Sequence, residues 1–262
     1  MFAESPETIH DLRRAVADLA PPADAGGRLI PLGVAAVDGA LEGGLPGGTL
    51  HEIAPATALH GGAAGGFAAA LTALALDDCR HAVWIQPDFV AAESGALYGP
   101  GLDLLGLPMT RLVILRVPRP RDALWAMEEA LKCRAVAAVV AEIGSAETDL
   151  TATRRLALAA RESCGLGVIL HHDPPSRIQP TTATTRWEVA SARGERDRFG
   201  GLGPSTFMLS LVKNRRGRTG QWRLSWDHHE RVFVAAASSL SVAQAARDGS
   251  PARVHAGQVR AG

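Results

Sequence analysis

Five short apolar runs, separated by segments with helical spacing, restrict this chain to few folds. They stand at 49–54 (TLHEIA), 81–86 (HAVWIQ), 112–117 (LVILRV), 135–141 (AVAAVVA) and 166–172 (LGVILHH), with helical patterns near 66–77, 90–105, 121–133 and 149–163. Strands that are apolar along their whole length are covered on both faces, and regular alternation with helices joins them in parallel through crossovers. The expectation is an α/β fold with a mostly parallel sheet flanked by helices.

After His172 the pattern changes. A Pro- and Thr-rich stretch, 173–185, leads to strand-like runs at 186–192, 205–213, 220–227 and 231–235 with no helix between them. Such runs add antiparallel strands in the C-terminal part of the sheet. At the other end, Ile9, Leu12, Val16 and Leu19 are helically spaced until Pro21-Pro22 stops the pattern, and a Pro/Ala/Gly linker runs through Gly27. Three parts are expected: an N-terminal helix and linker (1–27), a main domain (28–236) and a weakly ordered tail (237–262) rich in Ala, Ser, Gly and Arg.

The 262 residues suffice for one large domain. No apolar run approaches the roughly 18–20 residues of a membrane-spanning helix, and the first residues, MFAESPETIHDLRR, lack a secretory pattern. A soluble, cytoplasmic protein is expected. Cys79, Cys133 and Cys164 have no paired-ligand spacing and read as reduced, structural thiols. The net charge of zero hides an asymmetry: residues 1–172 carry 13 Lys+Arg against 20 Asp+Glu, and residues 173–262 carry 14 against 7. The basic second part fits either an acidic or polyanionic partner or an Arg-rich solvated surface.

HGGAAGGFAAAL, residues 60–71, has the build of a phosphate-binding loop running into a helix. In G-x-x-x-x-G-K-[ST] the backbone cradles phosphates, the Lys reaches the outer phosphates and the hydroxyl ligates Mg²⁺. Gly61 and Gly66 occupy the glycine positions, but Phe67 stands at the Lys position and Ala68 at the hydroxyl position. The chain has only two lysines, Lys132 and Lys213, neither near this loop in sequence. What remains is the weak anion-binding tendency of a helix N-terminus at 65–68, with Phe67 in the space of a phosphate. Neighbouring histidines on a strand point to opposite faces, so neither His171-His172 nor His228-His229 chelates one metal ion.

IPLGVAAVDGALEGGLPGGTLHEI (30–53) resembles the segment that leads into the nucleotide-binding loop of the RecA family. The similarity continues over about residues 28–235 and implies a RecA-like core. AVWIQPDF (82–89) resembles the strand that ends in the family's catalytic Glu, with Asp88 at that position; AVAAVVAE resembles the Mg²⁺-assisting strand, with Glu142 at its end. LGVILHH places His172 where the family has a phosphate-sensing glutamine. For Asp88 and Glu142 the alternative is a polar strand end facing solvent. QPTTATTRWEVASAR (179–193) is similar to the mobile DNA-binding loop and its following strand, with Arg186 in it and Arg177 just upstream. LVKNRRGRTGQWRLSW (211–226) is similar to a late Val-Lys-Asn element, so Lys213 is matched and Arg215, Arg216 and Arg218 extend its charge. These residues suit DNA or an acidic partner, or else a solvated turn.

A recombinase-like frame without the loop's Lys and hydroxyl resembles the ImuA family, RecA-like members of the ImuA/ImuB mutagenesis cassette. The resemblance implies a non-catalytic adaptor in SOS-type, DNA damage-induced translesion synthesis, with no ATP or Mg²⁺ as cofactor. Its implied partners are an ImuB-type Y-family-like protein and, through it, an error-prone DNA polymerase III alpha-type subunit, with RecA, single-stranded DNA and a homo-oligomer as further candidates. Two alternatives stay open: a weak DNA-dependent ATPase or filament-forming recombinase paralogue, and a SulA-like cell-division inhibitor, which is shorter and leaves the C-terminal third unexplained.

Overall fold

The computed structural model describes residues 27–144, 147–174, 179–194, 201 and 203–236. The expected helix at 7–20, Arg177 and the tail at 237–262 lie outside the described residues.

The apolar runs form the expected strands. A small antiparallel pair, β1 (Leu29–Ile30) with β2 (Leu45–Pro46), brackets helix α1 (Ala35–Ala40). Asp38 holds this bracket closed, accepting from the Leu32 and Gly33 amides at 2.7 and 3.0 Å. Gly44 is required in the following turn: its φ is +137°, and a Cβ there would lie 2.6 Å from the Ile30 carbonyl oxygen. This bracket was not visible in the periodicity, because two-residue strands carry no pattern to read.

The main sheet comprises β3 (Leu50–Pro55), β4 (His81–Pro87), β5 (Leu112–Val117), β6 (Val136–Glu142), β7 (Leu166–Leu170), β8 (Thr185–Ser191), β9 (Thr206–Asn214), β10 (Gly220–Asp227) and β11 (Val232–Ala235). Their order in space is β11-β10-β9-β8-β3-β7-β6-β4-β5. From β8 through β5 every pairing is parallel, and β8-β9-β10-β11 are antiparallel. The sequence patterns thus placed both halves of the sheet correctly.

Two cores sit on its two faces. Alternation along β6 sends Ala138 and Val140 into one and Val139 and Ala141 into the other. Helix α2 (Gly61–Ala75) fills the first core, while α5 (Pro120–Lys132) and α6 (Leu150–Ser163) fill the second. α6 starts where the Asp149 carboxylate accepts from the Ala152 amide at 2.6 Å.

The structure corrects four readings. The pattern over 90–105 is two helices, α3 (Asp88–Ser94) and α4 (Gly99–Leu104), because Gly95 takes φ +89° and ends the first. α2 begins at Gly61 rather than near residue 66. Together with the 3₁₀ turn before it, 58–75 is an 18-residue segment of mean hydropathy 1.3, long and apolar enough to span a membrane, contrary to the expectation that no apolar run reaches that length. In this fold much of it is packed against the sheet. Lastly, Cys79, Cys133 and Cys164 are free and exposed, so they support no core.

Candidate functional site

Ligands of open α/β sheets gather beyond the C-terminal ends of the strands. In this chain that edge holds the ends of β3, β4, β6 and β7 and the turn from β3 into α2.

The turn does not form a phosphate cradle. β3 ends at Pro55, residues 58–60 make one 3₁₀ turn, and Gly61 already has helical angles, φ −53° and ψ −45°. Neither Gly61 nor Gly66 has a positive φ, and a Cβ at Gly61 would meet nothing within 4 Å. A Cβ at Gly66 would make only ordinary contact with the Phe207 ring at 3.5 Å. The amides of 65–68, expected to be free, lie inside the helix and are spent on its own carbonyls. The expected anion-binding tendency at 65–68 is therefore corrected.

Phe67 and Ala68 are both 0% exposed. Phe67 does not stand where a phosphate would; it turns into the core, with ring centroids 5.5 Å from Trp187, 5.6 Å from Phe233 and 6.2 Å from Phe207. Strands β8, β9 and β11 each contribute one of these rings. Beside Gly62 and Gly66 a cavity of about 580 Å³ opens toward Leu105, Arg193, Thr206 and Phe207.

Around the ends of β4, β6 and β7 the structure does bring expected residues together. Glu142 ends β6, but it is buried rather than solvent-facing. Its Oε1 accepts from Trp84 Nε1 at 2.6 Å and from Gln86 Nε2 at 3.1 Å, and its Oε2 accepts from the same amide at 3.3 Å. Burial raises the Glu142 pKa, only partly opposed by these two donors and by the Arg116 charge. A carboxyl so enclosed has little to offer a cation.

His172 lies beside Phe89, their ring centroids 6.2 Å apart in a T-shaped arrangement. Burial pushes its pKa down, so the imidazole is neutral near pH 7. Asp88, the first residue of α3, points outward and pairs with Arg116 at 3.0 Å.

The basic residues divide into two groups. Arg186 is held inside: its Nε donates to Glu52 Oε2 at 2.7 Å and its Nη2 to the Gln179 carbonyl at 2.8 Å. Burial alone would raise the Glu52 pKa, but hydrogen bonds and charge from His171 and Arg186 outweigh it and hold the carboxyl below its usual range. His171 Nε2 lies 3.5 Å from Glu52 Oε1, at the outer limit of a hydrogen bond. Lys213 is half-buried and donates to the Thr181 carbonyl at 2.7 Å; burial lowers its pKa.

Arg215, Arg216 and Arg218 lie at the tip between β9 and β10. Arg215 and Arg218 are exposed and Arg216 is half-buried. The tip is firmly built: Asn214 Nδ2 donates to the carbonyls of Ala40 and Arg218 at 2.9 and 3.1 Å, and its Oδ1 accepts from the Arg216 amide at 3.1 Å. These three arginines are presented on a rigid turn, whereas Arg186 and Lys213 are engaged within the fold.

Reading the sequence missed Glu52, Trp84 and Gln86. Each had a signal: a polar or indole N–H group inside an otherwise apolar strand is buried only with a partner. Among the described residues no three His, Cys, Asp or Glu side chains converge as metal ligands.

A parallel sheet extended by antiparallel strands, with its first crossover helix where a nucleotide loop would run, defines a RecA-like core. The crystal structure of the RadB recombinase matches it with a TM-score of 0.54 over 80% of this chain and all of that one. Sequence identity is 13%, so that likeness is one of fold. Protein ImuA from two strains of Caulobacter vibrioides is 35% identical over 210 residues, 75% of this chain and 82% of the relative. This chain belongs to the ImuA family. No protein-family model matches it.

Proposed function

We propose that this chain is a non-catalytic RecA-like accessory protein of DNA damage-induced mutagenesis, a cytoplasmic adaptor that binds an ImuB-type partner during translesion synthesis. One observation carries the non-catalytic part: Phe67 and Ala68, at the two positions where ATP chemistry is decided, are both fully buried in the core. Membership of the ImuA family supports the cellular role. The arginine tip at 215–218 supports an acidic or polyanionic contact, with the ImuB-type protein, the polymerase recruited through it, RecA or single-stranded DNA on the other side.

Titration calorimetry with Mg-ATP, followed by a phosphate-release assay with single-stranded DNA, tests the reading. No saturable heat and no turnover above the protein-free blank are expected. Saturable Mg-ATP binding, or turnover abolished by Asp88→Ala, would overturn it. Such turnover would favour the weak ATPase instead, whose support is the gathering of Asp88, Glu142 and His172 around neighbouring strand ends. Co-purification with the ImuB-type protein tests the adaptor half separately.

A further inference from the structure

Strand β5 ends one side of the main sheet, with β4 on its inner side and no strand on its outer side among the described residues. Native edge strands are blunted by prolines, inward charges or bulges. The middle of β5 has none of these: Val113, Ile114 and Leu115 follow β4 in unbroken register, and they are 52%, 36% and 40% exposed.

That register places Ile114 beside Trp84 on the α2 face and places Val113 and Leu115 beside Val83 and Ile85 on the α5 face. Apolar surface is therefore exposed on both faces of one edge. Met109, 41% exposed, extends it just before the strand. A docking helix would cover one face and leave the outer N–H and C=O groups of β5 unpaired. An added strand covers both faces and pairs those groups.

The pattern of β5 is complementary to itself. We propose that β5 pairs antiparallel with β5 of a second copy, about a two-fold axis through Ile114. In that register Ile114 faces its own counterpart, Val113 faces Leu115 of the other copy, and Arg116 faces Leu112, so no arginine of the strand faces another. Moving the axis to Leu115 sets Arg116 against Ile114 and Leu112 against Pro118, which has no N–H to donate. Arg116 enters the contact already paired with Asp88 at 3.0 Å. The contact is isologous and closes on itself, making a dimer with one sheet running through both copies.

Light scattering on the chain is expected to give the mass of a dimer, and Ile114→Lys is expected to give a monomer that keeps the wild-type far-ultraviolet circular dichroism spectrum and melts at a temperature independent of protein concentration. Val113→Lys, at the more exposed position, is the second disrupting variant and gives the same result. For geometry, Ile114→Cys is made with Cys79, Cys133 and Cys164 changed to Ser. Opposed Cα atoms in an antiparallel pair are about 4.5–5.5 Å apart, within disulfide range. Mild oxidation then yields a covalent dimer, while Trp125→Cys on α5 in the same background yields none. The inference is overturned by a wild-type chain monomeric at about 100 µM, where a micromolar dimer is assembled. A dimer that survives both lysine variants, an Ile114→Cys chain that does not cross-link, or an open polymer in place of a closed dimer also overturns it.

Discussion

Placing the Lys and Thr of the G-x-x-x-x-G-K-[ST] pattern at positions 67 and 68, Phe67→Lys with Ala68→Thr, separates two accounts of α2. If residues 60–66 were an exposed loop, the double variant would regain phosphate contacts at little cost. The structure places both positions in the core instead. Phe67 is 0% exposed, with three aromatic rings within 6.2 Å between centroids. Truncating such a buried Phe costs about 3–5 kcal/mol. The methylenes of a lysine recover part of the volume, but its ammonium meets rings without an acceptor, and burying it ionised or neutralised costs a similar amount. A threonine at the packed Ala68 site adds about 1–3 kcal/mol of overpacking. The total, roughly 4–8 kcal/mol, is a large part of the ~5–15 kcal/mol by which a domain is stable. At about 2–4 °C per kcal/mol for a chain of this size, the melting temperature falls by roughly 8–30 °C. Circular dichroism melts of wild type and variant, each with and without Mg-ATP, provide the assay, since a ligand that binds the folded state raises its melting temperature. A variant melting within about 2 °C of wild type and rising further with Mg-ATP would refute the buried-helix account.

Glu142→Gln is expected to be neutral or stabilising by about 1 kcal/mol at pH 7, because the amide oxygen can keep accepting from Trp84 and Gln86 while the buried charge is removed. A raised carboxyl pKa gives stability that is present at acid pH and lost as pH rises through the folded-state value, so the melting difference between Glu142→Gln and wild type narrows on acidification. Arg186→Ala leaves the Glu52 carboxylate buried beside His171 and costs about 3–5 kcal/mol in urea unfolding. The lowered Glu52 pKa acts with the opposite sign: its contribution is present above the unfolded-state pKa and is lost as pH falls through the folded one, so Arg186→Ala flattens the acid limb of wild-type stability. Changing Arg215, Arg216 and Arg218 together to Glu is expected to weaken binding to the ImuB-type partner or to single-stranded DNA while stability stays within about 0.5 kcal/mol. A salt titration separates the two targets, since phosphate contacts give a steep salt slope; unchanged affinity for both returns these residues to the solvated-turn reading.

What could be read from the sequence follows from how far each signal reaches. Strands β3, β4, β6 and β7 were visible because burial on both faces leaves nearly continuous apolar runs, such as VAAVVA before Glu142. The partition of basic residues was not visible. Arg186 and Arg215 look alike as letters, yet Arg186 is held by Glu52, a residue 134 positions away, and that pairing depends on β3 lying beside β8. The start of α2 was misplaced for a related reason. Gly-Gly-Ala-Ala-Gly-Gly has poor intrinsic helix propensity, so local preference argued for a loop. Packing of Ala64, Phe67, Ala68 and Leu71 into the core against the sheet outweighs that preference.

The residue that stands at the lysine position of the G-x-x-x-x-G-K-[ST] spacing joins two halves of the molecule. Phe67 is the point on α2 where rings from β8, β9 and β11 converge, so the antiparallel strands are packed onto the helix through this residue. A lysine there would need an anion to satisfy it, and the junction would depend on a ligand; a phenylalanine makes it permanent. Glu142 follows the same logic at the other strand ends, where Trp84 and Gln86 supply the donors that a carboxylate otherwise seeks outside the protein. At both positions the partners lie within the fold. A core built this way anchors the arginine tip at 215–218 through Asn214 without calling on a ligand, which is the property the proposed adaptor role needs.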